Sequence, residues 1–472
     1  MTAQSEFDVV FLGAGPGGYV AAIRAAQLGL KVAVVEKDRV GGTCLNRGCI
    51  PSKSYLRSAE IYRNTLEALK FGVIANDISL DFSLVQERKN NVVEQLLKGI
   101  EFLLEKNKVT LIKGFGFISG NNLSNRLVTI KKANNIIETI STKNIIIATG
   151  SRPKSLAGLK IDEKYIMTSD QAFEMINLPK SIIIVGGGVI GMEWASLLKD
   201  FGVEVTVVEF LPRILPLEDS DISKDMTRLM KKRKISIHTN TKVLPESIKI
   251  VNNQVELEAK KEENIIQLKA EKVLISIGRE AVIDQIGIEN LDIAIENGSI
   301  KVNEYYQTGE ANIYAIGDCI GGLQLAHVAS NEGIIAIEHI AGKNPKPLDY
   351  LSVPKCIFTY PEIASIGFSE DEARDRGDDI KVGKFQFRGI GKALVNGEID
   401  GFIKIIIDTR SKTLIGVSMM GSHVTEMITE FALAKVIGAT VSDIIHTIHP
   451  HPTLSEAIVE AVLDVDKMSI HS

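Results

Sequence analysis

Two of the four cysteines in this 472-residue chain stand close together in the stretch GGTCLNRGCIPSKS, and a thiol pair at that spacing could do chemistry. Cys44 and Cys49 have four residues between them, whereas Cys319 and Cys356 are far away in sequence. A zinc site needs four ligands, and no second CxxC or HxxxH pair is evident. A structural disulfide that closes so short a loop stabilises little and is typical of secreted proteins. The pattern therefore favours a redox-active dithiol and no metal site.

The residues around the pair would stabilise the thiolate that disulfide exchange requires. Thiolates are favoured near cations and at helix N-termini. Lys53 follows the pair, and the segment after Val40-Gly41-Gly42 predicts the start of a helix. Residues five positions apart are separated by more than one helical turn, so the sulfurs can meet only where the helix is distorted. Pro51 predicts such a distortion.

A histidine and a carboxylate near the C-terminus could supply the base that dithiol exchange needs at neutral pH. The stretch IHPHPTLSE contains His449 and His451, and Glu456 lies five residues beyond His451. Thr453-Leu454-Ser455-Glu456 is also a capping box, so Glu456 has a structural alternative as a helix-start device. A carboxylate has enough lone pairs for both roles. The residues alone therefore leave the acid–base role of His451 open.

Two stretches of the chain share a pattern that positions a dinucleotide. Residues 7–36 and 181–209 each contain a β-branched run, a G-x-G-x-x-G motif, a helical stretch, a second apolar run and a closing glutamate. The glycines permit a tight turn and close approach of a pyrophosphate, and the glutamate accepts hydrogen bonds from ribose hydroxyls. The repeat therefore predicts two dinucleotide sites. Their residues are Gly13, Gly15, Gly18 and Glu36 in the first unit, and Gly186, Gly188, Gly191 and Glu209 in the second.

The closing glutamate of the second unit predicts NAD(H) rather than NADP(H). A carboxylate at the position of Glu209 would repel a ribose 2′-phosphate. Arg213 is a counter-signal, because an arginine shortly after this strand could bind such a phosphate. We give Glu209 the greater weight.

Further short apolar strands end in glycine and predict the carboxyl edge of a parallel sheet, where α/β folds bind ligands. Thr149, Gly150 and Gly278 would line these crevices. Asp318 could bind a polyol hydroxyl, with an ordinary turn aspartate as the alternative. From about Asp349 the pattern changes to neighbouring strands and amphipathic helices without a nucleotide motif, which predicts a third kind of domain.

The length and composition indicate some classes of protein and argue against others. The length suggests about three domains, and 45% hydrophobic residues can bury sizeable cores. A net charge of −5 gives no basic footprint for nucleic acid. The start MTAQSEFD has no secretory signal, and no apolar run is long enough to span a membrane. We therefore expect a location in the cytoplasm, or in the mitochondrial matrix of a eukaryote.

In this order along the chain, GAGPGG, GGTCLNRGCIPSK, ATGSRP, IGDC and HPHPTLSE resemble the flavin-dependent pyridine-nucleotide:disulfide oxidoreductases. The resemblance covers essentially the whole chain and implies an α/β fold with two Rossmann-like domains and a C-terminal α+β dimerisation domain. Two departures affect local loops only, Ala281 where the family usually has proline and Tyr360 where histidine is common. The implied segments are an FAD-binding domain at 1–150, an NAD-binding domain at 151–280, a central segment completing the FAD domain at 281–348, and an interface domain at 349–472.

The resemblance also implies roles for residues. Cys44 and Cys49 would form the redox disulfide, and His451, oriented by Glu456, would be the acid–base that reaches the disulfide of the other subunit in a homodimer. FAD would be held by Gly13, Gly15, Gly18, Glu36, Gly42, Thr43, Lys53, Gly116, Thr149, Gly150, Ser151, Asp318, Gln324, Leu325, Ala326 and His327. NAD would be held by Gly186, Gly188, Gly191, Glu193, Glu209, Val243 and Gly278, with Glu193 pairing to Lys53 near the flavin ring.

The implied reaction is oxidation of protein-bound dihydrolipoamide, with electrons passing through the Cys44–Cys49 pair and FAD to NAD⁺. The implied partner is the lipoyl-bearing acyltransferase subunit of a 2-oxoacid dehydrogenase complex, with no nucleic acid and no membrane. A glutathione-reductase-like enzyme is the alternative, and it should carry arginines where Glu209 lies. A flavin-binding subunit without turnover is a further alternative, which the intact Cys44, Cys49, His451 and Glu456 argue against.

Overall fold

The computed structural model describes residues 6–122, 125–133, 136–289 and 291–471. Residues 1–5, where the sequence predicts no secretory signal, lie outside that description. The described residues form two units built on parallel sheets, followed by a unit built on an antiparallel sheet. The predicted α/β fold class is therefore confirmed.

The N-terminal part of the chain forms a mostly parallel sheet with its helices. Its elements are β1 (Glu6–Leu12), α1 (Pro16–Gln27), β2 (Val32–Glu36), α2 (Gly42–Arg47), α3 (Cys49–Leu66), α4 (Phe82–Lys106), β3 (Thr110–Lys113), β4 (Phe115–Asn122), β5 (Asn125–Lys131) and β6 (Ile137–Ile147). The strand order is β3-β2-β1-β6-β5-β4, and β1 runs parallel to both β2 and β6. The valines of β2 are buried, as expected for parallel strands packed between helices.

The second unit repeats this plan around a smaller parallel sheet. Its elements are β7 (Ser151–Pro153), β8 (Ile166–Thr168), α5 (Ser169–Ala172), β9 (Ser181–Val185), α6 (Val189–Asp200), β10 (Glu204–Val208), α7 (Ser220–Lys232), β11 (Ser236–His238), β12 (Thr241–Val243), β13 (Lys249–Val251), β14 (Gln254–Lys261), β15 (Asn264–Ala270), β16 (Lys272–Ile275) and β17 (Arg279–Ala281). The parallel sheet has the order β11-β10-β9-β16-β8, and β12 to β15 form a separate antiparallel sheet. β17 pairs with β7, which brings the two ends of the unit together.

The chain then returns to the first sheet. The elements of this stretch are β18 (Ile295–Glu296), β19 (Ser299–Ile300), β20 (Ile313–Ala315) and α8 (Ala326–Ile340). β20 pairs in parallel with β6, next to the end of the first unit. α8 crosses α1 closely, since a Cβ at Gly333 would lie only 2.7 Å from the Cβ of Ala21. Residues on both sides of the second unit therefore share one core.

The C-terminal part is an antiparallel sheet with helices. Its elements are β21 (Lys355–Ile357), β22 (Glu362–Gly367), α9 (Glu370–Asp375), β23 (Ile380–Gln386), α10 (Gly391–Asn396), β24 (Phe402–Asp408), β25 (Leu414–Gly421), α11 (Val424–Ile437), α12 (Val441–His446) and α13 (Glu456–Leu463). The strand order is β21-β22-β25-β24-β23. Phe385, Phe431 and Ile458 are buried in one apolar cluster between the sheet and its helices. Among the described helices, none has the length and apolar character needed to cross a membrane.

A buried lysine joins the C-terminal sheet to the second unit. Lys404 lies in β24 and is 3% exposed. Its Nζ is 3.0 Å from Asp219, 3.1 Å from Asp221 and 2.6 Å from Glu370. Asp219 is completely buried and also caps the N-terminus of α7. This charge cluster therefore fixes α7 against the C-terminal sheet.

We expect Lys404→Met to destabilise the protein strongly. Removing one partner of a buried ion pair leaves the Asp219 carboxylate without its cation and costs about 3–5 kcal/mol. The control is Lys381→Met, because Lys381 and its partner Asp466 are both 49% exposed, and such surface pairs contribute about 0–1 kcal/mol. Urea unfolding followed by the fluorescence of Trp194, the single tryptophan, compares the two. Equal midpoints for the two variants would contradict this account.

Candidate active site

The two neighbouring cysteines lie on consecutive helices that a glycine separates. Cys44 lies in α2, Cys49 is the first residue of α3, and Gly48 between them has φ −147° and ψ −113°, outside the helical region. A Cβ at Gly48 would lie 3.0 Å from the carbonyl oxygen of Thr43, so the close packing at this junction favours glycine. The distortion therefore falls at Gly48. Pro51, which we expected to cause it, lies in the first turn of α3.

The two thiols are free and lie within hydrogen-bonding reach of each other. The Cys44 thiol donates to the Cys49 sulfur, which lowers the pKa of Cys49 to about 7 against an opposing effect of desolvation. The Lys53 ammonium lowers the pKa of Cys49 further. The same hydrogen bond raises the pKa of Cys44. Cys49, at the N-terminus of α3, is therefore the thiolate of the reduced pair.

The structure brings Lys53 and Glu193 together. Lys53 Nζ lies 3.1 Å from Glu193 Oε1 and 3.0 Å from Oε2. Glu193 is buried in α6, and its Oε1 also accepts a hydrogen bond of 2.9 Å from the backbone N–H of Phe358. A buried carboxylate is stable only with such partners. The ion pair therefore connects the helix of Cys49 with the helix that follows the second glycine motif.

Lys53→Met should raise the pKa of Cys49. The substitution removes the positive charge that favours the thiolate, and it leaves the Glu193 charge, which raises the pKa of Cys49, without its counterion. We expect an increase of about one pH unit or more, so that less thiolate is present at pH 7. The ultraviolet absorbance of the thiolate in the reduced protein, followed against pH, measures it. Lys53→Arg keeps the charge and serves as the control, and an unchanged pKa in Lys53→Met would rule out this electrostatic role.

The outer glycines of the two motifs have the same geometry in both units. Gly13 and Gly186 have φ of +112° and +111°, a region that favours glycine. A Cβ at Gly18 would lie 2.0 Å from the Gly13 carbonyl oxygen, and a Cβ at Gly191 would lie 2.0 Å from that of Gly186. These four glycines are therefore required by the fold of the motif itself.

The middle glycines instead face open space. A Cβ at Gly15 would have only the Cα of Gly42 within 4 Å, at 3.9 Å, and a Cβ at Gly188 would have no neighbour within 4 Å. Gly15 and Gly188 are also the N-cap residues of α1 and α6, and no side chain caps either helix. Free backbone N–H groups thus face the space that a pyrophosphate would fill. The glycine turn and helix start of each motif, called a glycine cradle below, therefore fit a dinucleotide.

The closing glutamates have matching environments. Glu36 accepts hydrogen bonds of 2.8 Å from the backbone N–H of Ala14 and of Asp38. Glu209 accepts them from Gly187 at 2.5 Å and from Leu211 at 2.7 Å. An ionised carboxylate has about four acceptor positions, so two remain in each case for ribose hydroxyls.

The Arg213 guanidinium is bound by its own loop and by Asp371. Its Nη2 donates to the carbonyl oxygens of Pro216 at 3.1 Å and Glu218 at 3.3 Å, and its Nη1 lies 3.5 Å from Asp371. The guanidinium that the sequence suggested as a phosphate ligand thus already has partners within the protein. This favours the NAD(H) prediction.

We expect Glu209→Gln to weaken the discrimination against NADPH. Removing the carboxylate removes its repulsion of a 2′-phosphate, so the ratio of kcat/KM for NADPH to that for NADH should rise about tenfold, equivalent to about 1.4 kcal/mol. Steady-state kinetics with both nucleotides measure this ratio. Arg213→Gln is the control and should leave the ratio unchanged. A fall in NADPH use in Arg213→Gln would show that the arginine binds the phosphate after all.

Asp318 and Ser151 contact each other where the two units meet. The Ser151 hydroxyl donates to Asp318 Oδ2. Arg279 Nε donates to the Ser151 hydroxyl at 2.7 Å, and its Nη2 donates to the Ser151 carbonyl at 2.8 Å. The hydroxyl of Thr149 donates to the carbonyl oxygen of Val282 at 2.6 Å. These bonds hold the strand ends in place, and within the described residues no hydrogen bond occupies Asp318 Oδ1, which could therefore accept one from a ligand hydroxyl.

Several other expected contact residues have a packing role in the structure. Gly116 makes room for Val35, whose Cγ1 would lie 2.8 Å from an added Cβ. Val243 is 5% exposed in an apolar cluster of the second unit. Gly42, with φ +57°, lies against Gly15.

The remaining expected contact residues lie near strand ends or helix starts. Thr43 lies in α2, and Gly150 and Gly278 have φ of +71° and +113° with open space in front of each. Gln324 and Leu325 precede α8, and Ala326 and His327 begin it. The ring of His327 is hydrogen-bonded to the carbonyl oxygen of Pro354 at 3.0 Å.

His451 and Glu456 form a hydrogen-bonded pair. His451 Nδ1 lies 2.9 Å from Glu456 Oε1, and the other oxygen of Glu456 accepts from the Thr453 N–H at 2.9 Å. Burial opposes ionisation of Glu456, but the His451 ring and that N–H lower its pKa overall. The His451 ring is 80% exposed, with Glu456 its one hydrogen-bond partner in the described chain. Glu456 thus contacts both the His451 ring and the Thr453 backbone, but the predicted capping box is absent, because α13 begins at Glu456 with Ser455 as its N-cap and no capping side chain. Nε2 of His451 has no hydrogen bond within the described residues.

His449 belongs to the packing around this pair. Its ring is 6% exposed and lies between Glu430 Oε1, at 2.9 Å, and the carbonyl oxygen of Thr447, at 3.0 Å. It therefore supports the loop that carries His451.

Sequence reasoning missed Phe358, whose N–H and ring contact the Lys53–Glu193 pair. It also missed Arg279, which holds Ser151. In each case the partner is more than 100 residues away along the chain. No local pattern marks such contacts.

Comparison with known proteins agrees with the cysteine pair and the two glycine motifs described above. Residues 7–333 match the family described as pyridine nucleotide-disulphide oxidoreductase, and residues 353–462 match the dimerisation domain of that family. The dihydrolipoyl dehydrogenase of Bacillus subtilis is 55% identical over 471 residues, which cover 99% of each chain. That of Zymomonas mobilis is 40% identical over 470 residues, again 99% of each chain.

A solved structure shows the same fold. The crystal structure of LpdA from Mycobacterium tuberculosis matches with a TM-score of 0.90 at 26% identity, covering 97% of this chain and 99% of that one. The close cysteine pair, the two glycine cradles and these matches agree over nearly the whole length. The chain belongs to the pyridine nucleotide-disulphide oxidoreductase family.

Proposed function

We propose that this enzyme oxidises protein-bound dihydrolipoamide to lipoamide and passes the electrons to NAD⁺. The observation that carries the proposal is the Cys44–Cys49 pair, whose thiols are hydrogen-bonded beside Lys53. The 55% identity to a dihydrolipoyl dehydrogenase over 99% of both chains supports this substrate. The cofactors are FAD and NAD, which the two glycine cradles fit. FAD, when bound, supplies a two-electron acceptor between the dithiol and NAD⁺.

The chain's own residues carry out the sulfur exchange. With Cys44 and Cys49 oxidised to a disulfide, one substrate thiol gives its proton to His451, and the resulting thiolate attacks the Cys44 sulfur. The Cys44–Cys49 bond breaks, and Cys49 leaves as the thiolate that its lowered pKa favours. The second substrate thiol then attacks the substrate sulfur that is bonded to Cys44, which closes the lipoyl ring and breaks that bond. His451 gives the first proton to the departing Cys44 sulfur, which leaves as a thiol, and takes up the proton of the second substrate thiol. Two electrons have passed to the protein pair, and Lys53 balances the charge on Cys49.

The acid–base residue acts across a homodimer in this proposal. His451 is exposed in the single chain and has Glu456 to orient it. Residues 353–462 match a dimerisation domain, and the exposed apolar side chains of that segment suit burial against a second copy. They include Leu433, Val436, Ile437 and Ile448, which are 61%, 67%, 68% and 94% exposed.

The partner in this proposal is the lipoyl-bearing acyltransferase subunit of a 2-oxoacid dehydrogenase complex, because a dihydrolipoyl group is regenerated there. The cytoplasm is the proposed compartment, in keeping with the bacterial origin of the relatives. The domains remain as proposed from the sequence, with 1–150 and 281–348 as one FAD-binding domain. The pairing of β20 with β6 supports that division.

Steady-state kinetics test the proposed function. Purified enzyme with free dihydrolipoamide and NAD⁺ should turn over, and NADP⁺ should be a poor acceptor. In the reverse direction, lipoamide should be reduced by NADH much faster than glutathione disulfide. Faster reduction of glutathione disulfide, or a preference for NADPH, would favour the glutathione-reductase-like alternative. A flavin-loaded enzyme without any thiol-dependent turnover would overturn the proposal.

A further inference from the structure

Helices α3 and α6 are joined by ion pairs at two places. The first is the Lys53–Glu193 pair near their N-terminal ends. The second is Arg63, whose Nη1 donates to Asp200 Oδ2 at 2.7 Å. The side chains of Arg63 and Asp200 are only 12% and 8% exposed, so this second pair is largely desolvated. The helix that carries Cys49 is thus fixed to the helix of the second glycine motif along its length.

The first ion pair is covered by Phe358, from the segment between β21 and β22. Lys53 Nζ lies 4.2 Å from the centre of the Phe358 ring, a cation–π distance. The backbone N–H of Phe358 donates to Glu193 Oε1 at 2.9 Å. Phe358 therefore contacts both members of the pair.

The second ion pair is covered by Tyr360, two residues further on. The guanidinium of Arg63 lies 3.4 Å from the Tyr360 ring centre, and Arg233 lies 5.6 Å from it. Arg233 donates to Asp200 Oδ1 at 2.7 Å and to the carbonyl oxygen of Tyr360 at 3.1 Å. The N–H of Tyr360 donates to the Ser196 hydroxyl of α6 at 3.0 Å.

The two aromatic residues act on the same helix pair although they lie in the bend that precedes β22. They are separated by one residue, Thr359. Thr359 between them is 4% exposed, and its hydroxyl donates to the carbonyl oxygen of Pro361. Phe358 and Tyr360 thus contact the two ion pairs, one each.

We propose that Phe358 and Tyr360 are positioning residues for the reaction, through which the dimerisation domain sets the alignment of α3 with α6. Phe358 holds the Lys53–Glu193 pair, and Tyr360 holds the Arg63–Asp200 pair at the other end of the same helices. The inference rests on the proposed function, in which Lys53 balances the charge on Cys49. It also gives a role to Tyr360, a position where the chain departs from the pattern usual in its family.

Three variants test the inference. Phe358→Leu and Tyr360→Leu remove a ring, whereas Tyr360→Phe keeps the ring and removes a hydroxyl that has no hydrogen bond in the described residues. We expect both leucine variants to bind FAD at wild-type stoichiometry, to change the midpoint potential of the bound flavin, and to lower kcat about tenfold with little change in the KM for dihydrolipoamide. Tyr360→Phe should behave as wild type in each measurement.

The outcomes separate the inference from the proposed function. Leucine variants with wild-type potential and kcat would overturn the inference, as would a Tyr360→Phe variant impaired as strongly as Tyr360→Leu. Should Tyr360→Leu fail to fold, the potential and kcat of Phe358→Leu decide alone. The flavin potential is measured without dihydrolipoamide, so it tests the inference even if the wild-type enzyme fails to oxidise that substrate.

Discussion

Cys49→Ser is expected to abolish dihydrolipoamide oxidation while the protein keeps its yellow flavin. Serine has the shape of cysteine with a smaller oxygen in place of sulfur and cannot form a disulfide, so the two electrons of the substrate have no sulfur acceptor. Because the two cysteines act as a unit, kcat for NAD⁺ reduction by dihydrolipoamide should fall by about 10⁴-fold or more. Cys44→Ser should lower kcat to a similar extent, since each sulfur is half of the same bond.

An assay with a second substrate distinguishes loss of the dithiol from misfolding of the protein. Oxidation of NADH by ferricyanide requires the flavin and the nicotinamide site but no protein thiol, so Cys49→Ser should retain it. Cys356→Ser is the matched control, because Cys356 lies outside the pair, and in the described chain its sulfur has one hydrogen-bond partner, the carbonyl oxygen of Thr425 at 3.8 Å. Dihydrolipoamide turnover at the wild-type rate in Cys49→Ser would remove the cysteine pair from the mechanism.

The repeated unit was predictable from the sequence because its chemistry is local. A strand, a glycine-rich turn and a helix must be close in sequence to form one phosphate cradle. Gly13 and Gly186 have nearly the same φ in the structure, and Glu36 and Glu209 accept the same kind of backbone hydrogen bonds. One of the strands expected after Asp349 is likewise found, at Phe402–Asp408, since its apolar run, interrupted by Lys404, is typical of a buried strand.

The contacts that cross between units were not predictable from spacing alone. Phe358 meets Lys53 only because the C-terminal sheet packs against α3 and α6, and one sequence contains no pattern for that packing. Arg213 is the opposite case. Its position suggested that it binds a phosphate, but its guanidinium donates hydrogen bonds to carbonyl oxygens of its own loop. The helix break at Gly48 was assigned to Pro51 for a related reason. A proline is tolerated in the first turn of a helix, whereas a close approach to another backbone is visible only in three dimensions.

His451→Gln is expected to lower kcat about 10²–10⁴-fold, the usual contribution of a general acid–base. Glutamine can still donate a hydrogen bond but cannot take the proton of the substrate thiol. The loss should be largest near neutral pH and should shrink as the pH approaches the pKa of the substrate thiols, where thiolate forms without a base. The pH dependence of kcat measures this. His446→Gln, at an exposed position on α12, is the control, and an unchanged pH profile in His451→Gln would contradict the role.

Mixed dimers decide whether His451 acts on the cysteines of its own chain or of the other chain. Co-expression of a His451→Gln chain with a Cys44→Ser chain, each with a different affinity tag, gives a heterodimer in which each chain lacks one part of the site. If the histidine acts across the interface, one site combines the intact cysteines of the first chain with the intact His451 of the second, and the heterodimer should recover about half of the wild-type activity. If both parts must come from one chain, the heterodimer should be as inactive as either parent homodimer. The 80% exposure of the His451 ring in the single chain, next to the exposed Ile448, is the reason for expecting recovery.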